Sequence, residues 1–352
     1  MTNPLLTRLG MSVPIIQAPM AGVSTPALAA AASNAGGLGS LGCADLTPEK
    51  LRAAVDDLRG RTNRSFNLNF FVNQPAALSG YDAAPMAARL APYYAEYGLG
   101  AVPAPKAPYP PFGAEGVAFL LAVRPAVASF HFGLPEPSAV KALRDAGIML
   151  MGSATTVAEA KALEAGGVHA VIAQGWEAGG HRGVFLGSLD TPGAGTLALT
   201  RQMVKATKLP VIAAGGIADG AAIAAVLALG AAAAQIGTAF MLCPEAATKP
   251  VHRAAIANAK DNDTTVTRVF SGRPARVIAN RFVREMADAA ALAAPFPAQH
   301  SLTGPLRQPS QDKGSADFLP LYAGQAAGMA RAIPAAELMS ALILEWRAAI
   351  NP

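Results

Sequence analysis

The sequence has little of what marks a disulfide-rich, metal-binding or nucleic-acid-binding protein. Only two cysteines occur in 352 residues, and Cys43 and Cys243 are too far apart for a CxxC motif. Charged residues make up 14% of the chain, against a usual figure of about 25%. The net charge of +5 is thus a small imbalance, and two Trp with six Tyr offer few rings for base stacking. We expect reduced thiols, a cytoplasmic location, no metal and no nucleic-acid partner.

The sequence also lacks a long run of large apolar side chains. Residues 221–241 are almost entirely apolar and about as long as a membrane span requires. Alanine and glycine dominate this stretch, however, and alanine contributes little to insertion, so we interpret it as a helix followed by a strand. Gly10 and Pro14 interrupt the first apolar stretch, so no secretory signal is expected. A hydrophobic fraction of 52% predicts a globular chain, with no membrane partner.

Eight short runs rich in Val, Ile and Phe alternate with Ala- and Leu-rich stretches of helical character. The runs lack in-out polar alternation, which is typical of parallel strands covered on both faces. The predicted strands are residues 13–20, 37–42, 65–71, 127–132, 148–153, 169–174, 211–215 and 234–240. Eight βα repeats favour an α/β fold of the (β/α)8 TIM-barrel type over a doubly wound open sheet, which is the alternative on the same pattern.

The repeats end at residue 240, so we predict a TIM barrel over residues 1–240 and a mostly helical C-terminal cap subdomain over residues 241–352, packing on the barrel. Two segments exceed the usual loop length: an inserted Pro-rich loop at about 73–125, densest from 91 to 125, and a Gly-rich loop over 176–195. Long loops in a compact domain are usually lids or binding loops. The helices predicted in the cap cover residues 249–260, 326–331 and 335–349.

Residues 213–217 end the seventh predicted strand and residues 235–240 form the eighth, and both segments contain glycine. In barrels, the loops at these two places commonly bind a phosphate through backbone N–H groups, and ordinary turn glycines are the alternative. Residues 37–42 match the GxGxxG motif of dinucleotide-binding proteins. A helical stretch precedes them and the glycines lie in a predicted strand, so close backbone packing explains them better.

The Gly-dense segment 173–183 places an amide, an acid, an imidazole and a guanidinium after the sixth predicted strand, where this fold carries its chemistry. His181 is its imidazole. His131 ends the fourth strand and would face the barrel mouth, either as a ligand contact or as a satisfied core histidine. His169 begins the sixth strand, at the structural end of the barrel, and His252 falls in a peripheral helix with no predicted role.

Two further side chains lie at strand ends. Asn69 is near the end of the third strand, where burying its amide without partners would cost a few kcal/mol. A bound flavin would supply partners, and so would neighbouring backbone. Met20 follows the first strand, and its flexible thioether suits packing on a flat ring, with core filling as the alternative.

Several motifs together resemble the nitronate monooxygenase family, in its bacterial class I subgroup. They are QAPMAG at 17–22, NLNFF at 67–71, GSAT at 152–155, QGWEAGGHRG at 174–183, the glycines 215 and 216, QIGT at 235–238 and FLPLYAGQ at 318–325. The sequence departs from the family pattern at Val72 and Asn73, where Cys-His is commoner, and over 296–307, which lacks the expected tyrosines.

The resemblance implies non-covalent FMN in a TIM barrel and oxidation of alkyl nitronates, notably propionate 3-nitronate, by O2 without a nicotinamide donor. It implies that His181 is the catalytic imidazole and that His131, Tyr109 and His300 face the substrate. The resemblance also implies that Asn69, Gln174, Gly179, Gly216, Gln235, Ile236, Gly237 and Thr238 contact the flavin. Met20, Gly180 and Gly215 complete the predicted cofactor-binding set.

A nitronate is already an anion, so its oxygens need a positive or hydrogen-bonding partner. An imidazole with an ordinary pKa of about 6.5 can be a cation or a donor near neutrality, so we expect His181 and His131 to orient the anion while the flavin takes one electron. One alternative on the same fold is an NAD(P)H-dependent FMN reductase of quinones or enoyl thioesters. Another is a non-catalytic protein that binds a phosphate ligand or flavin. We expect a monomer or homodimer.

Overall fold

The protein is described by a computed structural model that covers residues 3–108 and 110–351. The strands are β1 (Ile15–Gln17), β2 (Gly39–Gly42), β3 (Phe66–Phe71), β4 (Val127–His131), β5 (Met149–Ala154), β6 (Ala170–Gln174), β7 (Gly180–His181), β8 (Val211–Ala214), β9 (Ala233–Ile236), β10 (Thr264–Thr267) and β11 (Ala275–Ile278).

The α-helices alternate with the strands through the first two thirds of the chain and predominate after β9. They are α1 (Pro4–Leu9), α2 (Pro26–Asn34), α3 (Pro48–Arg61), α4 (Ala84–Glu96), α5 (Ala114–Val123), α6 (Pro137–Asp145), α7 (Val157–Ala165), α8 (Thr196–Ala206), α9 (Gly220–Ala228), α10 (Pro250–Ala257), α11 (Arg281–Glu285), α12 (Gln299–Thr303), α13 (Arg307–Asp312) and α14 (Ala335–Ile350).

Eight parallel strands form the barrel, in the order β1-β9-β8-β6-β5-β4-β3-β2. A bridge between Ile16 and Leu38 brings the two ends of this order together and nearly closes the sheet. Every residue of β2, β5, β6 and β8 is buried, because helices cover the outer face and opposite strands fill the inner one. The predicted TIM barrel is confirmed, and each of the eight predicted strands is present.

The last predicted strand is shorter than expected. Strand β9 ends at Ile236, and Thr238–Phe240 forms a 3-10 turn. The backbone of Gly237, at φ −108° and ψ −80°, has left the extended region, so the chain turns there. The prediction of a strand continuing to residue 240 was therefore wrong.

The glycine-rich segment at 37–42 contains strand β2, and no helix begins at its glycines. A Cβ on Gly39 would lie 1.8 Å from the carbonyl oxygen of Ala29, so helix α2 packs directly on this strand. The structure agrees with the close-packing interpretation. The apolar run at 221–241 divides between α9, β9 and the 3-10 turn. Within residues 3–108 and 110–351, no helix has the length and apolar character needed to cross a bilayer.

The Pro-rich insertion contains helix α4, which packs against the C-terminal region. Met86, Leu90 and Tyr93 of α4 share a hydrophobic cluster with Phe282 and Phe318. The hydroxyl group of Tyr94 adds a hydrogen bond of 2.8 Å to the carbonyl oxygen of Leu302. The insertion thus packs against part of the chain beyond residue 241.

The C-terminal region also contains an antiparallel sheet that the sequence pattern did not predict. Strand β11 lies between β10 and β7, so residues from the C-terminal region pair with the loop that follows β6. Helices α10 and α14 confirm two of the three predicted helices. The third, at 326–331, is only a 3-10 turn over Ala327–Met329, and α14 packs on α9 and α2 of the barrel.

Candidate active site

Strand β6 ends in an amide that fixes the conformation of the following loop. Gln174 is only 8% exposed. Its Nε2 donates to the carbonyl oxygen of His181 over 2.8 Å, and its Oε1 accepts the N–H of Gly183 over 2.7 Å. Both ends of the side chain are therefore engaged by the loop, so Gln174 positions the segment that carries His181.

The C-terminal sheet holds the same segment from the other side. In the β7–β11 pair, His181 lies opposite Ala275 and Gly180 opposite Arg276. The imidazole Nε2 of His181 lies 2.9 Å from Oγ of Ser271, in the turn that precedes β11. The barrel fixes the backbone of this histidine through Gln174, and the C-terminal region fixes its ring.

His131, at the end of β4, contacts the backbone of His181. Its Nε2 lies 3.1 Å from the carbonyl oxygen of His181. A carbonyl oxygen only accepts hydrogen bonds, so His131 carries its proton on Nε2. Its ring also packs against Phe71, with ring centroids 5.6 Å apart.

His300 comes to the same place from helix α12, and its ring centroid lies 6.2 Å from that of His181. The structure therefore brings together three of the predicted site residues, although they are far apart in the chain. Further rings complete the enclosure of His181, at centroid distances of 6.2 Å for Phe71, 6.1 Å for Phe132, 5.3 Å for Phe296 and 5.2 Å for Tyr322. Tyr109, also predicted to face the substrate, lies outside the described residues.

Tyr322 is a site residue that the sequence reasoning missed, although it lies within the FLPLYAGQ motif. Its hydroxyl oxygen is buried and makes no hydrogen bond within the part of the chain that the structure describes. Burial raises the pKa of Tyr322 to about 12, so the phenol stays protonated at physiological pH. It is a hydrogen-bond donor beside the ring of His181.

Burial sets the charge state of the three histidines. It lowers the pKa of His131 to about 4 and that of His300 to about 3. The pKa of His181 also falls well below 6.5, first through burial and then through the neighbouring His300 and His131 and the charges of Arg273 and Arg307. The expectation of an ordinary imidazole pKa was wrong, because desolvation disfavours the cation. Near neutrality these rings are neutral.

The arginine of the GGHRG block supports the loop. Arg182 is 2% exposed, and its Nη1 donates to the carbonyl oxygens of Gln174 and Gly175. Its guanidinium lies 5.1 Å from the centroid of the Trp176 ring. The carbonyl oxygen of Trp176 accepts from Nη2 of Arg276 over 2.9 Å, so two buried arginines from distant segments fix the start of the loop.

Most of the predicted cofactor-binding residues lie at the carboxyl ends of neighbouring barrel strands. Gly215 and Gly216 follow β8 with φ of 118° and 69°, a region that L residues avoid. The sulfur of Met20 lies 3.8 Å from the position that a Cβ on Gly237 would occupy. Within residues 3–108 and 110–351, the N–H groups of Gly216 and Gly237 make no hydrogen bond, so two backbone donors are available there.

The segment after Tyr322 covers this glycine-lined region. The N–H of Gly324 donates to Oγ1 of Thr238 over 2.9 Å, and a Cβ on Gly179 would lie 2.5 Å from the nitrogen of Gly324. Gly180 lies in β7. Gln235 and Ile236 both lie in β9, where Ile236 is buried in the barrel wall.

Asn69 lies on β3, away from the strands that carry the glycines. Its Nδ2 donates to the carbonyl oxygen and the Oγ of Ser129, at 3.2 and 2.9 Å. Neighbouring protein groups thus satisfy its two amide protons, which was one of the two interpretations of this buried amide.

A nearly closed (β/α)8 barrel with a histidine cluster and glycine-lined turns at the carboxyl ends of its strands is the architecture of a TIM-barrel enzyme, since active sites in this fold lie at that face. The family model for nitronate monooxygenase matches residues 3–345. The chain therefore belongs to the nitronate monooxygenase family, as its motifs suggested, and it is an oxidoreductase.

Individual relatives agree with this assignment. The chain is 46% identical to a nitronate monooxygenase of Paraburkholderia phytofirmans, covering 99% of this chain and 96% of that protein. It is 44% identical to one of Pseudomonas aeruginosa, covering 99% and 100%. Among solved structures, a nitroalkane oxidase from Streptomyces ansochromogenes aligns with a TM-score of 0.90 and 42% identity over 98% and 99% of the two chains. FabK from Thermotoga maritima aligns at 0.76 with 29% identity over 100% and 98%.

Proposed function

We propose that this protein is an FMN-dependent monooxygenase of alkyl nitronates, of the propionate 3-nitronate type, which converts them with O2 to an aldehyde and nitrite. The observation that carries the proposal is the position of His181. Its ring lies among aromatic rings at the carboxyl end of the barrel, 6.2 Å from the ring of His300, and its loop adjoins the glycine-lined turns. Membership of the nitronate monooxygenase family supports this substrate class.

The residues at the strand ends fit FMN. A phosphate group needs several N–H donors and close backbone approach. The N–H groups of Gly216 and Gly237 make no hydrogen bond among the described residues, and glycine has no side chain of its own to keep a ligand away. Met20, beside Gly237, suits contact with a flat ring system. When bound, FMN supplies the one-electron acceptor for the nitronate, and O2 then supplies the oxygen atom of the aldehyde.

The protein's own groups bind and orient the substrate. The Nε2 of His181 is engaged with Ser271, which leaves Nδ1 as its ring nitrogen without a hydrogen bond among the described residues. Phe71, Phe132 and Phe296 around it exclude water, and a polar contact in such surroundings is stronger than in bulk solvent. If a neutral nitroalkane is used, the neutral imidazole of His181 is the general base.

The first test is the absorbance spectrum of the purified protein, followed anaerobically as propionate 3-nitronate is added. We expect a flavin spectrum that bleaches with the nitronate and does not bleach with NADH or NADPH. Bleaching by a nicotinamide alone would favour the reductase of quinones or enoyl thioesters. A colourless preparation that gains no absorbance with added FMN would contradict both.

The second test separates catalysis from cofactor retention. We expect His181→Asn to lower turnover on the nitronate far more than it lowers FMN content, because the side chain faces the substrate. His169→Asn is the matched control. His169 lies just before β6, at the opposite end of the barrel, and its Nδ1 accepts the N–H of Leu150 in β5. Turnover should change little in this variant. Equal loss of turnover and FMN in His181→Asn would reassign His181 to cofactor retention.

A further inference from the structure

A hydrogen bond fixes which nitrogen of His300 carries its proton. The Nη2 of Arg307 lies 2.8 Å from the Nδ1 of His300. A guanidinium has only donors, so Nδ1 must be the acceptor. Since burial keeps His300 neutral near pH 7, its single proton is on Nε2. Within residues 3–108 and 110–351, that Nε2–H makes no hydrogen bond.

The helices that carry this pair place it beside the histidine cluster. His300 lies on α12, and its ring is 6.2 Å from His181 and 6.0 Å from Phe296 between centroids. Arg307 is the first residue of α13, and its Nη2 also donates to Oγ1 of Thr303 over 3.4 Å. Arg307 therefore supports His300 from the side of the ring opposite the free N–H.

Arg307 also supplies charge where the imidazoles do not. Its positive charge lowers the pKa values of His181, His300 and Tyr322, so its field reaches each of these three groups. Arg273 also lowers the pKa values of His131 and His181, but its guanidinium donates to the carbonyl oxygen of Val184 and lies 4.0 Å over the ring of Phe132. A neutral cluster with an adjacent cation favours an anionic ligand.

We propose that Arg307 and His300 form the anion-recognition pair of this enzyme. Arg307 holds His300 in the tautomer that presents Nε2–H to the substrate, and its charge favours the nitronate over the neutral nitroalkane with the same carbon skeleton. Arg307 acts as a positioning residue, and His300 is the group that contacts the oxygens. The substrate class named here rests on the proposed function, whereas the anion site itself can be tested without turnover.

The kinetic test compares ethyl nitronate with nitroethane in three variants. Loss of a charge-assisted interaction corresponds to about tenfold in binding, so Arg307→Gln should raise KM for ethyl nitronate about tenfold or more. Its kcat, and its KM for nitroethane, should stay within about threefold of the wild type. A merely structural defect would change both substrates alike, and that result would overturn the proposal.

His300 offers a matched pair of substitutions. In His300→Gln the amide oxygen can accept from Arg307 while the amide N–H donates to the substrate, so KM for ethyl nitronate should rise less than in a variant without a donor. His300→Phe keeps a ring of similar shape without a donor and should raise KM as Arg307→Gln does. Equal behaviour of the two variants would contradict the proposed donor, even if Arg307→Gln proved too unstable to assay.

Nitrate, a planar anion with nitronate-like oxygens, tests the site without reaction. Calorimetric titration of the holoprotein should detect nitrate binding in the wild type and in His300→Gln, and at least about tenfold weaker binding in Arg307→Gln and His300→Phe. This pattern in a protein that oxidises no nitronate would refute the proposed function and leave the anion pair standing. Nitrate affinity that is equal in all four proteins would refute the pair.

Discussion

The side chain of Gln174 and the carbonyl oxygen of His181 are joined by a hydrogen bond of 2.8 Å. The same oxygen lies 3.1 Å from the Nε2–H of His131. One backbone atom of the loop thus receives donors from the ends of two barrel strands, β6 and β4. The position of the catalytic candidate is set by the barrel wall, and it depends on an amide that the sequence identified only as a cofactor contact.

Gln174→Glu should separate that loop from the barrel. The substitution replaces the Nε2 donor with an oxygen, which places a buried carboxylate against the His181 carbonyl. We expect loss of about 1–3 kcal/mol of stability and a decrease of about tenfold or more in kcat/KM. Thermal melting and steady-state assays with a nitronate measure the two effects.

Gln202→Glu is the control for this change, since Gln202 is exposed on helix α8. It introduces the same charge without touching the loop, and both stability and activity should stay near the wild type. If Gln174→Glu is as active as this control, the loop does not depend on the amide.

The barrel was predictable because its signals are local. Apolar runs mark β3 and β6, and Gly215 and Gly216 mark the turn after β8. The C-terminal sheet was not, because β7 has two residues and pairs with β11, more than ninety positions along the chain. A segment as short as β7 has no periodicity of its own.

The charge state of the site was equally hidden from the sequence. The pKa of His181 depends on burial, and the rings of Phe296 and Tyr322 lie against its imidazole. These residues reach the ring only through the packing of the C-terminal region. The motifs identified which histidines belong together but could not indicate that their environment keeps them neutral.

Glu159 accepts hydrogen bonds from the loops that follow β5 and β7, and Glu159→Gln should loosen both loops. Its buried carboxylate accepts from the N–H and Oγ1 of Thr155, at 2.6 and 2.7 Å, and from the N–H groups of Phe185 and Leu186, at 2.6 and 3.0 Å. An amide must turn its NH2 group toward some of these donors. We expect a loss of roughly 3 kcal/mol in chemical denaturation.

Glu164→Gln on the same helix, α7, is the matched control. Glu164 is partly exposed and accepts a single N–H, that of Lys208, over 2.9 Å. Its substitution should change stability by no more than about 0.5 kcal/mol. Comparable losses in the two variants would mean that the loss at Glu159 reflects helix α7 in general and not the loops.

Protonation of His252 should make the free energy of unfolding depend on pH. Its Nε2 donates to the carbonyl oxygen of Tyr322 over 3.1 Å, and burial lowers its pKa from 6.5 to about 4. Below pH 6.5 His252 binds a proton in the unfolded chain, whereas in the folded protein it stays neutral until about pH 4. Stability therefore decreases as pH falls through this window, by up to about 1.4 kcal/mol per pH unit for this one group.

His252→Gln tests the assignment, because glutamine retains an N–H donor and does not titrate. Its melting temperature should fall less steeply than that of the wild type between pH 6.5 and 4.5. At pH 8, where His252 is neutral in both states, the difference between the two proteins should no longer depend on pH. Parallel curves through the acid range would contradict the lowered pKa.

Gly179→Ala should displace the segment that covers the glycine-lined turns. A Cβ there would lie 2.5 Å from the nitrogen of Gly324 and 2.6 Å from the carbonyl carbon of Ala323, both backbone atoms that cannot rotate away. We expect a loss of about 1–3 kcal/mol, and a lower ratio of flavin to protein absorbance after purification.

Gly60→Ala, on the exposed side of α3 with no atom within 4 Å of the new Cβ, should instead stabilise the protein by about 0.5–1 kcal/mol. Full flavin content in Gly179→Ala would mean that the covering segment has no part in cofactor retention.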